Sequence, residues 1–329
     1  MSKLYLLTGA TGHLGTVLVS KLLERKEKIR VLVLPSEKDL IKGDVEICIG
    51  NVTDRDSLKD FFQIAGYSSV TLIHCAGIVS IASYPSKALW PVNVNGTANM
   101  MQMALENHVD RVIYVSSVHA IPEKPYPEIT TEVDYFNPEE VEGLYAKSKA
   151  EGGRIALEYS RKGLNVSIVH PSGMIGPGDL YKKNHAITSI RAMASGLIPC
   201  GLTGGYDFVD SRDVADGILA CEEFGERGEA YILSGEYVSI KDLLNITRRI
   251  KGKGPVNFVL PRGFIEGIAP LIEKVCNLFG NFAPIITPYS IGTLQTNVRF
   301  SHQKATDTLG YNPRGIEEAV KGSLDQKII

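Results

Sequence analysis

The sequence predicts an α/β protein, a doubly wound parallel sheet followed by a smaller, mostly helical C-terminal lobe. Three observations carry this expectation. Short apolar runs alternate with amphipathic stretches through residues 1–172, the signature of strands buried on both faces under covering helices. A glycine-rich turn joins the first apolar run to the first helical stretch. After Pro171 the alternation loosens and the chain becomes mostly helical. The 329 residues suffice for roughly two domains.

Taken in order, Leu4-Tyr5-Leu6-Leu7 reads as the first strand and Thr16 to Arg25 as the helix that follows the glycine turn. Ile29 to Leu34 and Val45 to Ile49 read as strands. Leu58, Phe61, Phe62 and Ala65 recur at helical spacing, so a helix is expected there. Val70 to Cys75 is a strand, Thr97 to Asn107 a helix, Arg111 to Ser116 a strand, and Tyr145 to Arg161 a helix that leads into a strand at Val166 to His170. Residues 173–205 are rich in Gly and Pro and show no strong period. Tyr206 to Asp210 and Ala230 to Leu233 read as strands flanking a helix at Val214 to Glu223, and residues 239–250, 262–280 and 315–324 read as helices. The expected domains are 1–172 plus 204–238 around the sheet, and 173–203 plus 239–329 as a second lobe. In open α/β sheets ligands bind in the crevice at the carboxyl ends of the strands, where this lobe would sit. Within 262–280, Phe264, Ile265, Ile268, Leu271, Ile272, Val275, Leu278 and Phe279 form one apolar stripe. It reads as a helix packed on its own domain, with a wall over a substrate pocket as the alternative.

Composition narrows the function classes. Thirty-five Lys and Arg against 37 Asp and Glu give a net charge of −2, so no broad field draws nucleic acid or anionic lipid. Five scattered cysteines, with no C-x-x-C pair, read as reduced thiols and point to a cytoplasmic protein. No apolar stretch is long enough for a membrane span, and the run before Gly9 is a strand and no signal peptide. The sequence contains no pattern of metal ligands, and it leaves the oligomeric state open, a homodimer included.

Two constellations carry chemistry. Thr8-Gly9-Ala10-Thr11-Gly12-His13-Leu14-Gly15 lies between the first strand and the first helix. One glycine permits the tight turn, one lets the backbone approach a pyrophosphate, and one lets helix pack on strand. The helix N-terminus then offers free N–H groups to phosphates. Farther on, Tyr145 and Lys149 lie four residues apart on the expected helix. That spacing turns about 400° and rises about 6 Å, so both share a face. An ammonium beside a phenol lowers the phenol's pKa towards working pH, as a general acid or base requires. Val112-Ile113-Tyr114-Val115-Ser116-Ser117 is a buried strand ending in two hydroxyls, and a hydroxyl there can hydrogen-bond a substrate carbonyl as charge grows on its oxygen.

Together these motifs resemble the short-chain dehydrogenase/reductase superfamily. The Thr-Gly-Ala-Thr-Gly-x-x-Gly form and the size are similar to its extended, epimerase/dehydratase-type branch. The resemblance implies a Rossmann-like domain binding NAD or NADP, with Tyr145 as acid/base, Lys149 lowering its pKa and holding the nicotinamide ribose, and Ser117 polarising the substrate carbonyl. Ser116 ranks second for that last role. It further implies cofactor contacts from Gly9, Thr11, Gly12, His13, Leu14 and Gly15, from Asn51-Val52 at the adenine, and from Ala76 under the adenosine. Asn93, with Asn95 as the alternative, is the cofactor-side asparagine, and Pro171-Ser172 passes the carboxamide. Asn51 departs from the usual aspartate, keeping an acceptor without the charge. Strand two ends in Val33-Leu34-Pro35-Ser36-Glu37-Lys38, with neither an acidic residue nor an arginine directly after it. Glu37 could reach a ribose hydroxyl and Lys38 a phosphate, so NAD against NADP stays open.

Segments 170–179, 206–215 and 301–314 resemble the dihydroflavonol reductase and 3β-hydroxysteroid dehydrogenase group. This implies reversible hydride transfer between a ketone or aldehyde and an alcohol on a small apolar molecule. The alternative is a nucleotide-sugar epimerase or dehydratase with tightly bound NAD. Against it, Val118-His119-Ala120 lacks the Thr-Asp-Glu of dehydratases, and the Tyr-Gly of epimerases is missing. Such an enzyme needs basic clamps for a diphosphate, for which Arg248, Arg249, Lys251, Lys253, Arg262, Arg299 and Arg314 are candidates. A cofactor sensor without catalysis would need a damaged triad, and this one is whole. Arg212 and Asp213 read as an ion pair or cap at the lobe junction. His119 reads as a polar loop residue, with substrate contact as the alternative.

Overall fold

The computed structural model describes residues 2–80, 86–181, 184–261, 263, 267, 292, 296 and 298–328. Its centre is a seven-stranded, all-parallel sheet. The strands are β1 (Lys3–Thr8), β2 (Lys28–Val33), β3 (Glu46–Ile49), β4 (Ser69–His74), β5 (Arg111–Val115), β6 (Val166–Pro171) and β10 (Ala230–Leu233), in the order β10-β6-β5-β4-β1-β2-β3. The strand order reverses beside β1, so the crevice for a ligand opens at the carboxyl ends of β1 and β4.

The apolar runs are continuous because both faces are covered. Leu4, Leu6, Leu72, Val112 and Tyr114 face one core, which the helices α2 (Thr97–Glu106) and α3 (Leu144–Arg161) close with Met100, Met101, Ala150 and Ala156. Tyr5, Leu7, Ile73, Ile113 and Val115 face the other, closed by α1 (His13–Glu24) and α5 (Ser211–Phe224). Each Leu or Ile so buried is worth about 1.5–3 kcal/mol of transfer free energy, which makes register slips costly.

Beyond β6 the chain builds two small sheets. β7 (Gly173–Ile175), β9 (Gly205–Asp210) and β11 (Glu236–Ser239) form one in the order β11-β9-β7, and β8 (Gly201–Leu202) pairs with β12 (Val259–Leu260) in the other. Among the described residues the helices here are α4 (His185–Ser195), α6 (Ile240–Ile250), α7 (Gln303–Leu309) and α8 (Ile316–Asp325).

Two expectations need correction. The helix expected around Leu58 to Ala65 is only a 3-10 turn, Arg55–Leu58, followed by turns. The Arg30 guanidinium donates to the carbonyls of Phe61 and Gln63, at 3.1 and 2.8 Å, drawing them away from helical pairing. Leu58, Phe61 and Phe62 are nevertheless buried. Conversely, the aperiodic stretch 173–205 holds α4, with the Asn184 side chain accepting from the Ile187 amide at its start and Gly196 at φ +93° at its end. Within 262–280 only Gly263 and Gly267 are among the described residues, so the apolar stripe lies outside them.

Candidate active site

The glycine turn sits at the carboxyl end of β1. Gly9 has φ +71°, and a Cβ there would lie 2.8 Å from the Ala76 nitrogen at the end of β4. A Cβ at Gly15 would lie 2.1 Å from the Gly9 carbonyl oxygen, so helix and turn touch backbone to backbone. Gly12 caps α1 with no side-chain hydrogen bond and no acidic residue in the first turn, leaving the amides of His13, Leu14 and Gly15 without intrahelical partners. His13 spends its ring on the lobe, with Nε2 donating to the Pro177 carbonyl at 2.8 Å and Nδ1 accepting from Asn184 at 3.0 Å. Leu14 is buried in the core. Both therefore face a phosphate only through the main chain.

The adenosine side is built from the ends of β2, β3 and β4. Thr11 Oγ1 donates to Glu37 Oε1 at 3.0 Å, and Leu34 N donates to Glu37 Oε2 at 3.3 Å, so the Glu37 carboxylate faces the glycine turn. Asn51 is exposed after β3 and its Oδ1 accepts from Thr53 N at 3.0 Å, while Val52 turns into the core. Ala76 N donates to Thr8 Oγ1 at 3.1 Å, and Thr8 donates to His74 Nδ1 at 2.7 Å. Thr97 Oγ1 gives its proton to the Asn93 carbonyl, so it accepts from His74 Nε2, which fixes every proton in this buried chain. Burial holds His74 neutral by pushing its pKa down to about 3.

Tyr145 and Lys149 lie in the first turns of α3, where the chain passes the end of β5. Lys149 is buried, and Nζ donates to the Val115 carbonyl at 2.9 Å. Desolvation pushes its pKa down to about 8. Directly after β5, Ser117 Oγ accepts from the His119 amide at 3.3 Å as the cap of the turn Val118–Ala120, which leaves its own proton to donate. The His170 ring donates from Nδ1 to the Ser117 carbonyl at 2.9 Å and so clamps that residue. Ser116 is buried, and its hydroxyl lies against the buried Tyr114 hydroxyl without a partner in good hydrogen-bond geometry among the described residues. A Cβ on Gly77 would lie 3.3 Å from Lys149 Nζ and 3.2 Å from Asn93 Oδ1, a backbone hollow between β4 and α3. Asn93 itself is consumed structurally, accepting from Ile78 N at 2.7 Å and donating to the Ile78 carbonyl and Ser148 Oγ at 3.0 Å each. Pro171 closes β6, and the buried Ser172 hydroxyl faces the Asp207 carboxyl. The bare hollow at Gly77, the uncapped α1 and the closed-packed Gly9 fit an extended dinucleotide lying across the strand ends.

Tyr206 was not legible as a site residue, and the sequence reads His119 first as a polar loop residue, with substrate contact only as the alternative. His119 meets the Tyr145 ring edge-on with centroids 6.0 Å apart, and its Nε2 lies 2.7 Å from the Tyr206 hydroxyl. Tyr206 comes from β9, in the small sheet, and no local pattern joins it to the end of β5. His170, a histidine inside an apolar strand, offered a signal that the motif reading passed over. Most of the candidate diphosphate clamps are occupied elsewhere. Arg314 pairs with Asp213, Arg249 with Glu317 at 2.5 Å, Arg248 with the Gly254 carbonyl, and Lys253 with the Ala194 carbonyl. Arg299 stacks over Tyr237 and Tyr126, and Arg262 lies outside the described residues.

A doubly wound sheet with a glycine turn at the first strand, and a lysine and hydroxyls gathered at the ends of the next, defines a dinucleotide-dependent oxidoreductase. Residues 5–234 match the family described as the NAD dependent epimerase/dehydratase family, and the chain belongs to it. It is 31% identical to "Sterol demethylase protein B" of Methylococcus capsulatus over 95% of each chain. It is 28% identical to "3beta-hydroxysteroid-dehydrogenase/decarboxylase isoform 1" of Arabidopsis thaliana over 72% of this chain and 57% of that one. Among solved structures, that of gox2253 matches with a TM-score of 0.82 and 30% identity, covering 98% of this chain and 97% of that one.

Proposed function

We propose that the protein interconverts a ketone or aldehyde and an alcohol on a small apolar substrate, with Tyr145 as general acid and base. The observation that carries this reading is the gathering of three groups at one strand end. Lys149 Nζ bonds the Val115 carbonyl, Ser117 follows two residues later with a free proton, and the Tyr145 ring packs against His119 of the same turn. In the reducing direction, Tyr145 would give its phenolic proton to the carbonyl oxygen while Ser117 donates a hydrogen bond to it. Lys149 stabilises the phenolate that remains, and its carriage on the same helix face keeps the two together. A nicotinamide held there would supply the hydride, or take it up in the reverse direction. Gly9, Thr11, Gly12 and Gly15, with the main chain of His13 and Leu14, would hold its pyrophosphate. Asn51, Val52 and Ala76 would flank the adenosine, and Pro171 and Ser172 the carboxamide. Asn93 would act by bracing the Gly77–Ile78 backbone.

Replacing Tyr145 by Phe is expected to cut turnover roughly a hundredfold to ten-thousandfold while leaving the cofactor dissociation constant within about threefold, because the ring still packs in place. Turnover by Tyr145→Phe near the wild-type rate would overturn the assignment. A panel of ketones, sterols, flavonoids and UDP-sugars, followed at the reduced nicotinamide absorbance band, identifies the substrate class. The names of the sterol demethylase and hydroxysteroid dehydrogenase relatives support placing sterols first. The nucleotide-sugar alternative is weakened by the occupied arginines. Stoichiometric NAD surviving dialysis would revive it.

A further inference from the structure

His119 and Tyr206 form a polar pair beside the Tyr145 ring. Tyr206 is locked in place: a Cβ on Gly173 would lie 2.8 Å from its ring, so only glycine on β7 lets the tyrosine lie flat, and Phe208 packs against it at 5.7 Å. Its hydroxyl in turn fixes the imidazole at 2.7 Å. The ring is neutral, because burial pushes its pKa down to about 4. A phenol is a stronger acid than a neutral imidazole N–H, and an imidazole nitrogen a stronger base than a phenol oxygen, so the Tyr206 hydroxyl donates to Nε2. The ring proton then sits on Nδ1, which bonds to no group among the described residues. That donor is carried two residues beyond Ser117, on a ring 6.0 Å from Tyr145.

We propose that His119, aimed by Tyr206, is a substrate-anchoring residue that donates from Nδ1 to a second acceptor oxygen, a carbonyl or carboxylate, borne next to the reacting carbon. This rests on the oxidoreductase reading above. The imidazole sits on the turn that Ser117 caps and 6.0 Å from the Tyr145 ring, so a group next to a carbon reacting between those two residues is the part of a ligand it would meet. A substrate with an acceptor there gains a directional bond that a plain ketone cannot make, and a polar site discriminates strongly against an analogue lacking its partner.

The test uses the full chain with a cyclic 3-oxo ester and the matching plain cyclic ketone, in wild type, His119→Phe, His119→Asn and Tyr206→Phe. The ester-over-ketone ratio of kcat/KM is expected to fall about tenfold or more in His119→Phe, chiefly through KM of the ester, as loss of a good hydrogen bond predicts. His119→Asn, whose amide can take the place of Nδ1, restores most of the ratio, and Tyr206→Phe falls between. In parallel, the Nδ1 resonance of ¹⁵N-histidine-labelled protein, identified by its loss in His119→Asn, moves on adding the ester and not the ketone. An unchanged ratio in His119→Phe overturns the anchor while the oxidoreductase reading stands. If neither compound is turned over yet the ester alone moves the resonance, the anchor stands and the catalytic reading fails. Absence of both turnover and movement overturns the anchor.

Discussion

A lysine with 5% of its surface exposed has given up most of its hydration, and at Lys149 this pushes the pKa from 10.5 down to about 8. Against that loss the ammonium has a hydrogen bond to the Val115 carbonyl and the face of the Tyr114 ring 5.5 Å away. Between pH 8 and 10.5 the unfolded chain therefore binds a proton at this site that the folded chain does not, so folding stability rises with pH across that window. Relative to Lys149→Met, wild type is expected to gain about 3 kcal/mol between those limits. Urea denaturation of both proteins at pH 7.5 and pH 10 measures it, other titrating groups cancelling in the difference. A difference that stays constant with pH would show that the ammonium is well solvated. The same titration governs chemistry, since only the charged amine steadies a phenolate, so turnover is expected to decline as pH rises through about 8.

The elements of the sheet domain were legible because every strand but β3, whose Ile47 and Ile49 are exposed, is buried on both faces and the helices carry clear periods. Every strand from β1 to β6 and β10 lies within two residues of its expected span. What was not legible came from contacts distant in sequence. Apolar spacing at Leu58 to Ala65 described real burial, but Arg30 on a neighbouring strand turned those carbonyls out of a helix. α4 carried its own boundary marks, Asn184 and Gly196, which the surrounding Gly and Pro obscured. The glycine turn, Ser117, Tyr145 and Lys149 were readable because each is marked locally by its strand or helix. Tyr206 was not, since its partner His119 lies 87 residues earlier in the turn after β5. The close packing of turn and helix also makes a graded prediction. A methyl at Gly15 meets the Gly9 oxygen at 2.1 Å, and one at Gly12 meets it at 3.2 Å. Gly15→Ala is expected to lose about 1–3 kcal/mol of stability despite alanine's better helix propensity, and Gly12→Ala clearly less. Thermal melts without cofactor measure both, and equal losses would refute the backbone contact.

At the scale of the whole molecule, charged pairs tie the chain's last helix back to the sheet domain's α5. Arg212 grips Asp210 at 2.7 Å and reaches Glu318, while Asp213 holds Arg314, so Arg212 and Asp213 each pair with another residue. Pro177 links this cluster to the glycine turn, since it packs near Gly322 and Arg212 and its carbonyl accepts from His13 Nε2 at 2.8 Å, so a ligand seated at the turn stabilises elements the fold couples to it. A molecule that binds only the folded state at about a hundred times its Kd adds about 2.7 kcal/mol. The Glu37 carboxylate, held against Thr11 by a 3.0 Å bond, faces the turn where an adenosine ribose would lie, whereas Lys38 is exposed. A 2′-hydroxyl can donate to that carboxylate, and a 2′-phosphate is repelled by it. At equal concentration NAD is therefore expected to raise the melting temperature more than NADP, and Glu37→Gln to narrow the gap from both sides, weakening the NAD effect and strengthening that of NADP. A larger shift with NADP in the wild-type protein would mean that Glu37 turns away from the ribose and that the exposed Lys38 swings in to meet the phosphate.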